Sequence, residues 1–149
     1  MTATAPELVC PAGTPAALRA AVDAGADAVY VGFRDETNAR NFPGLNFARR
    51  ELADARAYAH ARGSKLYLAI NTFARAGDLG PWRQALDDAA RIGVDAVILS
   101  DLGVLEIAAQ EHPDLRLHLS VQASAAHPEA LEYYRRSFGV RRAVLPRVL

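Results

Sequence analysis

Gly25-Ala26-Asp27-Ala28-Val29-Tyr30-Val31-Gly32 is the stretch on which the fold turns. The same joint returns as Gly93-Val94-Asp95-Ala96-Val97-Ile98-Leu99 and, more loosely, as Gly139-Val140-Arg141-Arg142-Ala143-Val144. In each, a glycine suited to a left-handed helix exit is followed closely by an apolar run of strand length. Six such runs occur along the chain, at 8–10, 28–31, 66–70, 96–99, 115–119 and 143–145, and amphipathic segments separate them. Most are apolar on both faces, as parallel strands covered by helices are. Parallel strands all point one way, so their carboxyl ends gather on one face, where ligands bind in open α/β sheets and barrels.

The intervening segments carry helix punctuation. Thr14-Pro15 reads as N-cap and first helical residue, with Leu18, Ala21 and Val22 as the buried stripe. Gly25, Gly63, Gly93 and Gly139 each stand between a helix and the next run. Two joints are too long for the usual 2–6 residues. They span 33–47 and 72–80, both on the carboxyl-end side, where long loops shape sites. Six strands and five helices fall short of the eight strands and about 250 residues of a closed (β/α) barrel. The expected fold class is therefore α/β: residues 1–149 as the N-terminal portion of a truncated TIM-like (β/α) barrel.

Composition narrows the function classes. The chain has 149 residues, 51% of them hydrophobic, enough for one domain core. Its 17 basic and 17 acidic residues cancel, which argues against a broad cationic footprint and predicts no nucleic-acid partner. No run approaches the roughly 18 apolar residues of a membrane span. The start lacks the basic and apolar regions of a secretory signal. A single cysteine, Cys10, fits a reducing compartment, so a cytoplasmic location is expected.

The densest polar cluster is the 34–47 segment, with Asn38, Arg40, Asn41 and Asn46 among carboxylates and two phenylalanines. Arg40 offers a forked donor suited to a carboxylate. The other reading is a surface loop whose asparagines satisfy their own turns. In the fifth run, strict alternation puts His118, Ser120 and Gln122 on one face, turned to the barrel axis if the leucines meet helices. His118 could move protons or hold a ligand; a core histidine satisfied by its neighbours is the commoner case. Asn71 shares a face with Lys65, Tyr67 and Ala69 and lies at its mouth end. Arg147, just past the last run, is a further ligand candidate or the partner of a carboxylate. Asp101 reads as a helix N-cap, Cys10 as a buried small side chain, and Asp87-Asp88 as a solvated helical face. Ser120 and Ser124 lack a nucleophile elbow and a local base. No cysteine or histidine spacing suits a metal.

Glu7-Leu8-Val9-Cys10-Pro11-Ala12-Gly13, the 25–32 joint, Ile70-Asn71-Thr72 and Ser120-Val121-Gln122-Ala123-Ser124 together resemble the collagenase-like peptidase family, number thirty-two of the unclassified peptidases. The 35–47 loop and Val144-Leu145-Pro146-Arg147-Val148-Leu149 are most similar to the family branch represented by the ubiquinone biosynthesis protein UbiU. That resemblance implies oxygen-independent hydroxylation of the ubiquinone ring together with a paralogous UbiV-like partner in a heterodimer. It further implies a prephenate-like anionic oxygen donor and a [4Fe-4S] cluster. The branch's four cluster cysteines lie beyond this segment and none maps onto Cys10, so the segment alone is expected to be inactive and to hold no cluster. Family members usually show Thr-Asn before the next helix where this chain has Ala126-His127. By resemblance, Asn38, Arg40, Asn41, Asn71, His118, Gln122 and Arg147 are the expected substrate-binding residues. The alternatives are a peptidase, a relative that hydroxylates RNA bases, and a scaffold subunit that docks its partner.

Overall fold

The computed structural model describes residues 5–147. Six parallel strands stand in sequence order: β1 (Val9–Pro11), β2 (Ala28–Gly32), β3 (Lys65–Ile70), β4 (Ala96–Leu99), β5 (Leu117–Leu119) and β6 (Arg142–Ala143). Five helices alternate with them: α1 (Pro15–Asp23), α2 (Arg49–His60), α3 (Gly80–Ile92), α4 (Leu102–Glu111) and α5 (Pro128–Phe138). Neighbouring strands in chain order, each return made through a helix, are the wall of a (β/α) barrel.

The repeated joint has a physical meaning. Asp27 Oδ2 accepts the Leu8 N–H at 2.7 Å, and Asp95 Oδ2 accepts the Leu66 N–H at 2.7 Å. The same aspartates donate their own backbone N–H groups to the Leu8 and Leu66 carbonyls at 2.9 Å. Each aspartate thus ties its own strand to the preceding one and sets the parallel register. In the third copy Arg141 keeps only the backbone bond, to the Leu117 carbonyl. Gly93 closes α3 at φ +76, a left-handed cap that a Cβ would strain.

Caps fall where expected. Thr14 accepts from the Ala17 N–H at 3.1 Å and Asp101 from the Val104 N–H at 3.0 Å. Asp101 also accepts from Ala74, so one carboxylate starts α4 and pins the 72–80 loop. The core lies between sheet and helices, where Leu18, Leu52, Leu86 and Leu105 meet Val29, Leu66, Leu68 and Val97.

Three expectations change. Strand β5 stops at Leu119; Ser120 Oγ accepts the Gln122 N–H and Val121–Ala123 forms a 3₁₀ turn, so strict alternation does not reach Gln122. Strand β6 is Arg142–Ala143 rather than 143–145, and Val144 and Leu145 are exposed; Pro146, without an N–H, cannot extend the ladder. Asp88 is not on a solvated face, although Asp87 is. It is 3% exposed and accepts from Arg49 Nε at 3.0 Å, with Arg91 and Gln84 also bonded to it.

Candidate functional site

Parallel register stacks the inward-facing side chains in rows. Pro11, Tyr30, Tyr67 and Ala96 are register neighbours, and above them stand Gly32, Ala69, Ile98, His118 and Arg142. Apart from Pro11 and Ile98 these inward positions are small, aromatic or polar, and all but Ala96 line a cavity of about 500 Å³ at the carboxyl ends. Alanine at 69 leaves room that a larger side chain would fill, while the space beside Gly32 is taken by the Asn38 amide.

The 33–47 loop forms one wall. Phe33 and Phe47 pair at its base as an isolated parallel bridge, and Phe33 is fully buried under the Arg49 guanidinium at 4.1 Å. Arg49 also reaches Asp35 at 2.6 Å, tying the loop to α2 and, through Asp88, to α3. Asp35 in turn accepts from the Thr37 N–H and hydroxyl. Thr72 Oγ1 donates to the Glu36 carbonyl at 2.8 Å and accepts from Trp82 Nε1 at 3.1 Å, so the two long loops brace one another.

Five of the seven residues expected from sequence come together: Asn38, Arg40, Asn71, His118 and Gln122 line the cavity. Asn41 is exposed on the loop outside it. Arg147 is exposed and also stands apart, because β6 ends at Ala143 and leaves Arg147 four residues beyond the strand. The asparagines do what the turn reading allowed. Asn38 Nδ2 donates to the Phe33 carbonyl and Asn71 Oδ1 accepts the Ala39 N–H. Arg40 has no hydrogen bond or ion pair to its guanidinium among the described residues.

His118 is 3% exposed, with its ring edge-on to Tyr67 at 4.9 Å between centroids and 76° between planes. Burial, then the positive charges of Arg142 and Arg116, lower its pKa from 6.5 to about 4. It is therefore a neutral imidazole at physiological pH. No described residue bonds its nitrogens, and no buried side-chain nitrogen or oxygen is left unpartnered, so they open on the cavity.

Tyr30, Tyr67 and Arg142 also line the cavity and were not singled out from sequence. Period two already placed Tyr67 with Asn71. Arg142 was hidden because the last strand was set one residue late. Arg142 bonds Glu7 and reaches the Tyr67 hydroxyl at 3.5 Å, while Lys65 meets Glu7 at 2.9 Å. These two cations hold the Glu7 carboxyl down at about 2.

Among the described residues no three His, Cys, Asp or Glu side chains are grouped to hold an ion, and Cys10, the only cysteine in the chain, is half-buried against the core. The residues present do not fit a four-thiolate cluster. No helix among the described residues is long and apolar enough to cross a membrane.

Fold and cavity define a parallel β/α domain of barrel type, with a largely apolar pocket at its strand ends into which a few polar and aromatic side chains are set. A phosphoenolpyruvate phosphomutase from Streptomyces platensis subsp. rosaceus shares that fold, with TM-score 0.60 and 16% identity over 96% of this chain and 60% of that one. Residues 13–149 match the model of peptidase family U32, and the chain belongs to that family. An uncharacterized protease of Methanocaldococcus jannaschii is 38% identical over 96% of this chain and 34% of its own length. The tRNA hydroxylation protein P of Escherichia coli is 34% identical over 97% and 31%. The chain thus spans about a third of the length of these curated relatives.

Proposed function

We propose that this chain forms the ligand-binding mouth of a cytoplasmic, oxygen-independent hydroxylating protein of the UbiU branch, acting with a UbiV-like paralogue on the ubiquinone ring. The observation that carries this reading is the cavity itself. Tyr30, Tyr67 and His118 form an aromatic floor for a planar ring, and Arg40 at the rim offers two parallel donors to a carboxylate. That combination suits a precursor ring together with a prephenate-like anionic donor. The 35–47 loop, the most branch-specific element of the sequence, supplies that rim. Redox chemistry would belong to a [4Fe-4S] cluster held by cysteines outside this chain.

The relative named for tRNA hydroxylation favours one other substrate, an RNA base. Peptide hydrolysis has less support. The Ser120 hydroxyl accepts from the Gln122 N–H, and no described base bonds it. The test uses the full-length protein in cells lacking the native copy, grown without oxygen. With Arg40→Met, ubiquinone should fall at least about tenfold, the loss of a charge-assisted contact, while hydroxylated tRNA bases stay constant. Loss of the tRNA modification with ubiquinone intact would transfer the assignment to RNA.

A further inference from the structure

Three consecutive peptide groups of the 33–47 loop, from Asn38 to Asn41, are each held by an asparagine side chain. Asn38 Oδ1 accepts the Arg40 N–H at 3.0 Å, Asn46 Nδ2 donates to the Arg40 carbonyl at 2.8 Å, and Asn71 Oδ1 accepts the Ala39 N–H at 3.0 Å. The three amides arrive from the rising arm of the loop, its descending arm, and the end of β3. Each is itself fixed. Asn38 Nδ2 bonds the Phe33 carbonyl at 3.2 Å and sits where a Cβ on Gly32 would fall 2.2 Å away. Asn46, at φ +72, donates its N–H to the Gly13 carbonyl at 2.7 Å. The Asn71 carbonyl accepts from Ser100 Oγ at 3.1 Å.

We infer that Asn38, Asn46 and Asn71 are positioning residues, a three-amide clamp that fixes the backbone on both sides of Arg40 and leaves the Arg40 guanidinium as the ligand-binding group of the loop. The inference rests on the anionic-donor reading above and assigns its binding and its positioning to different residues. An arginine on a mobile loop would lose backbone as well as side-chain freedom on meeting a carboxylate. One whose backbone is already ordered loses only the latter. The amides already spend atoms on the backbone: both polar atoms of Asn38 have partners, as does one atom of each of the others.

The clamp uses a donor at 46 and an acceptor at 71, so one isosteric change should act oppositely at the two positions. In the full-length protein, Asn46→Asp removes the donor while tolerating the left-handed backbone. The Asn41 amide, in the same peptide group as the Arg40 carbonyl that loses its donor, should then exchange with solvent about tenfold faster. Asn71→Asp keeps the acceptor, and the Ala39 amide should stay within about twofold of wild type, whereas Asn71→Leu should accelerate it about tenfold. Unchanged exchange at Leu68 and Val97 reports that each variant is folded. Arg40→Met should leave these loop rates alone and weaken prephenate binding, measured by calorimetry, at least about tenfold. Equal responses of Asn46→Asp and Asn71→Asp would overturn the clamp. So would variants that alter prephenate affinity without altering exchange, since the amides would then be ligand contacts. A wild-type protein that does not bind prephenate defeats the donor reading, and the exchange rates still decide the clamp.

Discussion

Val29, Val31, Leu66, Leu68, Val97 and Leu99 face the helices and are no more than 2% exposed, whereas Tyr30, Gly32, Ala69, Ile98 and His118 on the same strands face a cavity of about 500 Å³. Alternate residues of one backbone therefore serve different ends. The outward set supplies close-packed apolar burial; the inward set gives up packing for room, aromatic surface and unpartnered polar atoms. A sheet with only one face committed to stability can carry an open site, apolar with a few polar groups, on the other.

Neighbouring residues on β3 give the sharpest contrast. Leu68→Ala, on the helix side and 0% exposed, should cost about 3 kcal/mol in urea unfolding. Ala69→Val, one residue on and facing the cavity, should cost less than about 0.5 kcal/mol. Comparable losses at both would mean that the inward face is packed core. Gly32→Ala is expected to cost about 2 kcal/mol, because the new Cβ displaces the Asn38 amide. A crystal structure of that variant with Asn38 unmoved would break the link between strand and loop.

The remaining effect is a slope. The unfolded His118 takes up a proton below about pH 6.5, but the folded one resists until about pH 4. Its folded pKa is depressed, so it contributes stability above pH 6.5 that is lost as pH falls through this window. Glu7 and Glu132, lowered to about 2, act only below their ordinary value of 4.5. Between pH 6.5 and 4.5, His118→Gln should therefore flatten the pH dependence of the unfolding free energy measured by urea titration. An unchanged slope would mean that the imidazole is not held neutral by the fold.

Much of this organisation was legible in the chain. The glycine-aspartate joints marked helix ends and strand starts because a left-handed exit and an apolar run are local properties. Thr14 and Asp101 were recognisable as caps for the same reason. Asp88 was not: its burial depends on Arg49, which stands 39 residues earlier and meets it only across α2 and α3. Arg142 was missed, and Arg147 placed at the strand end, because the register of a two-residue edge strand is set by its neighbour β5 and not by its own sequence. The loop was readable as a polar cluster at the right end of the strands. Which amides turn inward to the backbone, and which side chain is left facing the cavity, depended on contacts with Gly13, Gly32 and β3.

Local chemistry was thus enough to write the rhythm of strands and helices, the capping residues, and the end of the sheet on which polar side chains collect. It could not say that Asn38, Asn46 and Asn71 converge on the backbone around Arg40, nor that His118 lies edge-on to Tyr67 beside Arg142. Helix caps and strand alternation are governed by bonds a few residues long. The cavity is built from groups as far apart along the chain as Val9 and Val144, whose meeting requires the continuous parallel ladder of six strands.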